Sequence, residues 1–279
     1  MGTLFLVATP IGNLEDISAR AIRTLGAVSL IAAEDTRQTL KLLNHFNIRT
    51  PLASYHEHNK GVRTSQVLAA LQTGDVALVS DAGTPALNDP GFELVQAAVQ
   101  SGHNVSPIPG ACAPVAALVA SGIPTDTFLY LGYLPRKAAE RQRRLHSVAD
   151  LPYTLIFLET PHRLLASLAD LQEILGERNI AVARELTKLH EEIFRGSLEQ
   201  ARVHFASQPP RGEFTLVVAG KAQQVERWDE DQVRRALQSA VKTHQPAARL
   251  AGSLAEQSGW PRREIYHRLV QMQKLMEKE

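Results

Sequence analysis

The chain is short of cysteine, of aromatics and of net charge, and the first and last of these shortages each remove a class of protein. Cys112 is the single cysteine among 279 residues. That excludes an intrachain disulfide framework and a cysteine-rich zinc site, and makes the cytoplasm the expected compartment. The formal net charge is +1. No global field then draws the chain to nucleic acid or to a membrane surface, and any nucleic-acid site must be a local patch. No apolar stretch approaches the length of a membrane span. The opening Met1-Gly-Thr-Leu-Phe-Leu-Val-Ala8 is apolar without a basic start and runs straight into a turn, so it reads as a strand and not as a signal peptide. Also missing are a spaced-glycine dinucleotide fingerprint, a Gly-Lys-Ser/Thr phosphate loop, a Ser/His/Asp triad in linear sequence and zinc-ligand spacing, which argues against hydrolase and ATPase readings. What is there is an ordinary globular composition, 44% hydrophobic and 21% charged, long enough for a substantial core and two domains.

The first half alternates strand-like and helix-like runs. Strands are expected at 4–8, 28–33, 51–54, 76–80, 104–108 and 128–131, and helices at 17–25, 36–46, 62–71, 91–100 and 113–120. Asp16 and Asp35 stand where helix N-caps would. Short apolar strands alternating with helices imply a mainly parallel sheet covered on both faces. Composition shifts near residue 133, where Pro135 is followed by the basic run Arg136, Lys137, Arg141, Arg143 and Arg144. Strands at 153–158, 180–183, 191–195 and 214–219, with helices at 161–175 and 198–205, make a second α/β domain. The expected division is 1–132, 133–222 and a helical tail over 223–279.

The tail reads as three helices at 229–241, 247–257 and 262–276, the last two separated by Ser258-Gly-Trp-Pro261, a turn of helix-turn-helix length. Between Lys242 and Lys274 the basic residues outnumber Glu256 and Glu264. A small nucleic-acid module fits this pattern, and so does a three-helix cap or a dimerisation element.

The chemistry concentrates where strands run into helices. Ser80-Asp-Ala-Gly-Thr-Pro-Ala-Leu-Asn-Asp-Pro-Gly91 follows an apolar strand. Asp81 there stands at the mouth of a parallel sheet, where its carboxylate can take a ligand ammonium or a ribose hydroxyl. Gly83 permits close approach, and Thr84 offers a hydroxyl. Asn88, Asp89, Pro90 and Gly91 read as the turn and cap of the next helix. Thr9-Pro-Ile-Gly-Asn13 and Pro109-Gly-Ala-Cys-Ala-Pro114 are further loops of this kind, and together they argue for a sizeable polar cofactor. Cys112 reads as a nucleophile or as a buried thiol. Glu34-Asp-Thr-Arg37 is a polar cluster at a strand end that orients substrate or pairs with itself. His56-Glu-His58 suits a substrate contact better than a metal, since further ligands are missing. Glu159-Thr-Pro-His-Arg163 and Arg184-Glu-Leu-Thr-Lys188 place more polar groups at strand ends, with Arg163, Arg184 and Lys188 free to hold phosphates or to pair with Glu159, Glu185 or Glu191.

In combination and in this order, Thr9-Pro-Ile-Gly-Asn-Leu14, Ala33-Glu-Asp-Thr-Arg37, Ser80-Asp-Ala-Gly-Thr-Pro85, Asn88-Asp-Pro-Gly91, Pro109-Gly110, Gly132-Tyr-Leu-Pro135, Glu159-Thr-Pro-His-Arg-Leu164 and Ala183-Arg-Glu-Leu-Thr-Lys188 resemble the tetrapyrrole methylase superfamily. Corrin and porphyrin methylases have a glycine-rich first loop. Here that loop is Thr-Pro-Ile-Gly-Asn, which resembles the branch acting on ribosomal RNA. The resemblance implies a tetrapyrrole methylase-like α/β fold, two α/β domains with an interdomain cofactor cleft, a C-terminal helical domain and a homodimer. It implies S-adenosyl-L-methionine as cofactor, held by Pro10, Asp81, Gly83, Thr84, Ala86, Pro109, Gly110, Ala113, Leu158, Leu186 and the backbone near 214–216. The implied substrate is the ribose 2′-hydroxyl of a cytidine in the decoding region of small-subunit ribosomal RNA, within the assembled small subunit. A hydroxyl acceptor needs a base, for which Glu34, Asp35, Glu185 and Lys188 are the candidates. Arg37, His56, Arg136, Arg163 and Arg184 are the expected RNA contacts, joined in the tail by Arg262 and Arg263 and by Arg268. No metal is expected. The alternatives are a tetrapyrrole-pathway methyltransferase and a non-enzymatic RNA-binding assembly factor.

Overall fold

Short apolar runs build a first five-stranded sheet from β1 (Thr3–Val7), β2 (Leu30–Ala33), β3 (Leu52–Ser54), β4 (Val76–Val79) and β5 (Asn104–Ile108). The order is β3-β2-β4-β1-β5, and every pairing is parallel. Helices α1 (Ala19–Ala27), α2 (Thr36–His45), α3 (Lys60–Thr73) and α4 (Phe92–Gln100) supply the crossovers. Central β4 is buried at every position. Its alternation explains why: Ala77 and Val79 pack with Leu25 of α1 and Leu43 of α2, while Val76 and Leu78 pack with Leu71 of α3 and Leu94 of α4. The computed structural model describes residues 2–207, 210–222, 227–241, 243 and 245–276.

A second five-stranded sheet runs β6-β7-β10-β8-β9, from β6 (Phe128–Tyr133), β7 (Thr154–Glu159), β8 (Asn179–Arg184), β9 (Glu192–Ser197) and β10 (Phe214–Val218). Only β6 and β7 pair in parallel, and the other pairings are antiparallel. On one face α6 (Ala138–His146), α7 (Leu164–Leu175) and α8 (Leu198–Ala206) cover Leu155, Phe157, Val182 and Leu216. On the other, α5 (Ala113–Ser121) sets Ala117 and Leu118 against Ile156, Ala181 and Val217.

Several expectations are corrected. The 128–131 run does not belong with the first sheet, because β6 pairs with β7; a division at 133 would cut the end of this strand. The helix expected at 17–25 starts later. A short 3-10 turn, Leu14–Asp16, comes first, and the Ser18 hydroxyl caps α1 by accepting from the Ala21 amide, so Asp16 is not a cap. The helix expected from Pro161 starts at Leu164, because the Arg163 and Leu164 amides first close a turn onto the Thr160 carbonyl.

Residues Met1–Lys221 form one compact unit and Ala222–Glu279 another. The second holds α9 (Glu230–Val241), α10 (Ala247–Ser258) and α11 (Arg262–Met276) around Val233, Leu237, Ala251, Ile265 and Leu269. Trp260, in the turn before α11, is itself core. Its indole N–H donates to the Trp228 carbonyl at 2.7 Å, and Arg268 lies over its ring at 4.5 Å. Lys242, counted above in the basic tail, lies outside the described residues. No helix among them is long and apolar enough to cross a membrane.

Candidate active site

The carboxyl ends of parallel strands converge on one edge of the first sheet, and hydrogen bonds tie the loops there together. Thr9 after β1 and Gly83 after β4 exchange backbone bonds of 2.9 and 3.0 Å. The Thr84 hydroxyl donates to the Ala111 carbonyl after β5 at 3.2 Å. The Asp35 amide after β2 donates to the Asp81 carboxylate at 3.0 Å. The Asp35 side chain caps α2, accepting from the Arg37 amide at 2.8 Å.

The second sheet supplies the facing wall. Leu158 and Thr215 are directly opposite each other on β7 and β10, on the α5 side, and both line the cavity. On β6, Tyr130 and Tyr133 are an odd number of residues apart and would point to opposite faces of a regular strand. The register shifts between them, Gly132 takes the left-handed conformation with φ +64°, and both rings line the cavity. A Cβ on Gly132 would lie 2.4 Å from the Asn88 side-chain nitrogen. Absence of a side chain there lets the β4–α4 loop press against β6.

The cavity is about 240 Å³. Ile11, Leu87, Leu158 and Phe214 give it apolar walls, and Cys112, Ala113 and Pro114 bring in the start of α5. Its charge is one-sided. Glu34, Asp81, Asp89 and Glu213 line it, with no lysine, arginine or histidine among the described lining residues. Burial, then repulsion from Asp89 and Asp81, raises the pKa of Glu34. Asp89 is pushed up to about 6, first by burial and then by Asp81 and Glu213, with Ser80 acting in the opposite direction. Burial likewise raises both tyrosines. Such a site repels phosphate. It suits a cation with an apolar body, which would relieve the repulsion among the carboxylates.

A small extension of about 30 Å³ shares Ile11, Ala113, Glu213 and Thr215 with this cavity and adds Leu186, Glu185 and Lys188. Lys188 pairs with Glu185 at 2.8 Å, and that bond draws the Glu185 pKa down. Glu185 and Thr187 are left-handed, with φ of 50° and 63°. Gly12 accommodates this loop: a Cβ there would sit 2.4 Å from the Lys188 chain and 2.9 Å from the Leu186 carbonyl.

The tetrapyrrole (corrin/porphyrin) methylases match residues 3–202 of the chain. A ribosomal RNA small subunit methyltransferase I from Synechocystis sp. is 49% identical over 276 residues, covering 98% of this chain and 99% of that protein. The protein of the same name from Pseudomonas aeruginosa is 53% identical over 225 residues, 78% of this chain and 79% of its own. The chain belongs to the ribosomal RNA small subunit methyltransferase I family of the tetrapyrrole methylases. Among solved structures, diphthine synthase aligns with a TM-score of 0.62 at 12% identity, covering 79% of this chain and 90% of its own. Uroporphyrin-III C-methyltransferase from Thermus thermophilus, solved with S-adenosyl homocysteine, aligns with a TM-score of 0.54 at 19% identity, covering 78% of this chain and 97% of its own. Those two establish the fold.

Within this family member, the structure sorts the expected residues. Asp81, Gly83, Thr84, Ala113, Leu158 and Glu34 line the main cavity, and Leu186, Glu185 and Lys188 its extension. Pro10 does not line either. It faces a separate cavity of about 320 Å³ with Thr9, Gln38, Lys41, Ser80 and Asp81. Pro109, Gly110 and Ala86 are also outside the lining. Gly110 instead packs so closely on Ala8 that a Cβ would lie 2.9 Å from it, and Ala86, with φ of 65°, shapes the loop before α4. Asp35 is corrected as a catalytic candidate: its carboxylate caps α2 and is bound to Arg37 at 2.7 Å, which lowers its pKa to about 2.

Several of the expected RNA contacts are taken up by partners within the protein. Arg163 pairs with buried Glu159 at 2.6 Å and donates to the Leu134 carbonyl at 2.8 Å. Arg184 lies 2.5 Å from Glu192, at an angle that makes no hydrogen bond. Arg141 is buried against Asp170 at 2.5 Å. His56 sits beside Asn59 at 3.2 Å, outside the described cavities. Arg37 is exposed but held by Asp35. Arg136, Arg143 and Arg144 remain exposed on and before α6. In the helical unit Arg262 donates to the Ala248 carbonyl at 3.2 Å, Arg263 is exposed, and Arg268 pairs with Glu230 and Glu264.

The cavity residues missed from the sequence include Ile11, Ala82, Leu87, Asn88, Asp89, Pro114, Tyr130, Tyr133 and Glu213. The one usable signal was Asp89, a second carboxylate in the loop that carries Asp81.

Proposed function

We propose that this chain transfers a methyl group from S-adenosyl-L-methionine to the ribose 2′-hydroxyl of a cytidine in the decoding region of small-subunit ribosomal RNA. The observation that carries the reading is the apolar cavity walled by four carboxylates and no cation among its described lining residues, in a chain of this family. S-adenosyl-L-methionine has a sulfonium and an ammonium, both cations, on an apolar and hydrogen-bonding frame. When bound, it supplies a methyl group already activated by the positive sulfur. Asp81 and Glu34 would hold its ammonium or ribose hydroxyls, Thr84 and the Gly83 backbone would meet its polar edge, and Ile11, Leu87, Leu158 and Phe214 would enclose the base.

The protein then has two tasks, alignment of the acceptor hydroxyl and removal of its proton. The acidic cavity does not suit the RNA backbone, so phosphates are gripped from outside it. Arg136, Arg143 and Arg144, exposed on and before α6, are the groups assigned to this in the Met1–Lys221 unit. In this reading the protein is a cytoplasmic homodimer without a membrane attachment, and its substrate is the assembled small subunit, whose shape and clustered phosphates allow recognition by a nearly neutral chain.

The test uses small subunits that lack ribose methylation, incubated with the protein and labelled S-adenosyl-L-methionine. Mass mapping is expected to find a ribose-methylated cytidine in decoding-region RNA. Label that enters no RNA, or that enters a tetrapyrrole instead, overturns the reading.

A further inference from the structure

Asp89 lacks the structural work that its place in Asn88-Asp-Pro-Gly91 suggests. The N-cap of α4 is Gly91, and no side chain caps that helix. Among the described residues lining the cavity there is no cation to pair with it. Its backbone is nevertheless held firmly. Asn88 is left-handed with φ of 66°, and its side chain fills the space beside Gly132 of β6. On the other flank, a Cβ on Gly91 would lie 2.7 Å from Leu78 of β4. The loop is thus wedged between the two sheets, and the Asp89 carboxylate is delivered into the cavity wall.

The groups facing Asp89 come from every neighbouring element: Glu34 after β2, Ser80 and Asp81 after β4, Tyr130 and Tyr133 on β6, and Glu213 before β10. Two of the other carboxylates already serve loop amides. Asp81 accepts from the Asp35 amide at 3.0 Å, and Glu34 from the Asp81 amide at 3.5 Å. Asp89 bonds no backbone amide among the described hydrogen bonds.

We propose that Asp89 is the catalytic residue that accepts the proton of the hydroxyl being methylated. The inference rests on the methyl-transfer reading above. As the ribose oxygen bonds to the methyl carbon, the carbon–sulfur bond breaks and leaves its electron pair on sulfur. The oxygen–hydrogen bond breaks, its pair stays on the ribose oxygen, and the proton passes to the Asp89 carboxylate and then to water. A carboxylate titrating at about 6 is ionised at neutral pH yet more basic than an exposed aspartate, which is what proton removal near pH 7 requires.

The experiment compares wild type, Asp89→Asn and Glu34→Gln in three measurements. These are calorimetric affinity for S-adenosylhomocysteine, single-turnover methyl transfer to undermethylated small subunits, and carboxyl titration by NMR of protein labelled at aspartate. Asp89→Asn is expected to keep its affinity within about threefold and to lose about 10²- to 10³-fold in transfer rate. A carboxyl signal titrating at about 6 is expected to vanish with it. Transfer by Asp89→Asn within about threefold of an active wild type overturns the proposal alone, as does a larger rate loss in Glu34→Gln when both variants are saturated with S-adenosyl-L-methionine. A wild type that transfers nothing to RNA overturns the parent reading as well.

Discussion

Thr9 and Gly83 exchange both of their backbone hydrogen bonds, at 2.9 and 3.0 Å, and so lock the loop after β1 to the loop after β4. The exchange requires Gly83 at φ +81°, and a Cβ there would meet the Ile11 side chain at 3.3 Å. Gly83→Ala is therefore expected to cost about 1 kcal/mol in stability from the left-handed backbone. By pushing Ile11 into the cavity it is also expected to weaken S-adenosylhomocysteine binding by about tenfold. Chemical denaturation and calorimetry measure the two effects, and unchanged affinity would remove this bridge from the ligand site.

Gly12 makes a comparable junction across the two sheets. Its missing Cβ gives room to the Lys188 chain and to the Leu186 carbonyl. A side-chain end can swing away, but a backbone carbonyl in a loop with left-handed Glu185 and Thr187 cannot. Gly12→Ala should part the two loops at a cost of about 1–3 kcal/mol, and lower kcat for methyl transfer more than it lowers cofactor affinity. A variant as active and stable as wild type would show that the contact is loose.

Asp81, Gly83, Thr84 and Glu34 were legible because a parallel sheet places the residue after each strand at one edge, whatever the rest of the chain does. Residues that reach the cavity through the meeting of the two sheets were not. Tyr130 and Tyr133 share a wall only because the strand bulges at Gly132, where the Asn88 side chain of a distant loop packs against it. Asp89 was read as a helix cap because Asn-Asp-Pro-Gly is a strong local turn signal, and local signals say nothing of what a side chain faces. The arginines divide on the same ground. Arg163 pairs with Glu159 within one strand–helix junction, one of the two uses open to it from the sequence, whereas Arg141 of α6 meets Asp170 of α7 only when the two helices pack. A basic run in sequence does not reveal which of its members have been taken inside.

That distinction separates two classes of arginine variant. Arg163→Ala strands the buried Glu159 carboxylate, leaving only the Thr160 amide at 2.8 Å and the Ser167 hydroxyl at 2.6 Å. It also frees the Leu134 carbonyl beside Tyr133. The expected cost is about 3 kcal/mol in stability, because a buried charge loses its partner. Arg143→Ala with Arg144→Ala should leave the melting temperature unchanged. The double variant should weaken small-subunit binding and flatten its salt dependence by about one phosphate contact for each arginine engaged. Equal loss of stability in the two classes would place Arg143 and Arg144 in the packing and remove them from the RNA surface.

The carboxylate cavity also fixes the sign of a stability change with pH. Asp89 titrates at about 6 in the folded protein against an ordinary value of 3.8. The folded state therefore binds more protons than the unfolded state between those two values, and stability falls as pH rises from about 4 to about 6. Glu34 is shifted in the same direction and adds to the trend. Above the folded pKa the full penalty is present, and partial exposure of the group screens it to about 1 kcal/mol. Asp89→Asn removes the charge while keeping the shape. It should stabilise the ligand-free protein by about that amount at pH 8 and by much less at pH 4.5, where the wild-type carboxyl is already protonated. Urea unfolding of both proteins at the two pH values measures the difference. A gain that does not depend on pH would mean that Asp89 is not held as a strained carboxylate. A loss at pH 8 would mean that its charge stabilises the fold, and the argument for a carboxylate kept basic at the expense of stability would fail with it.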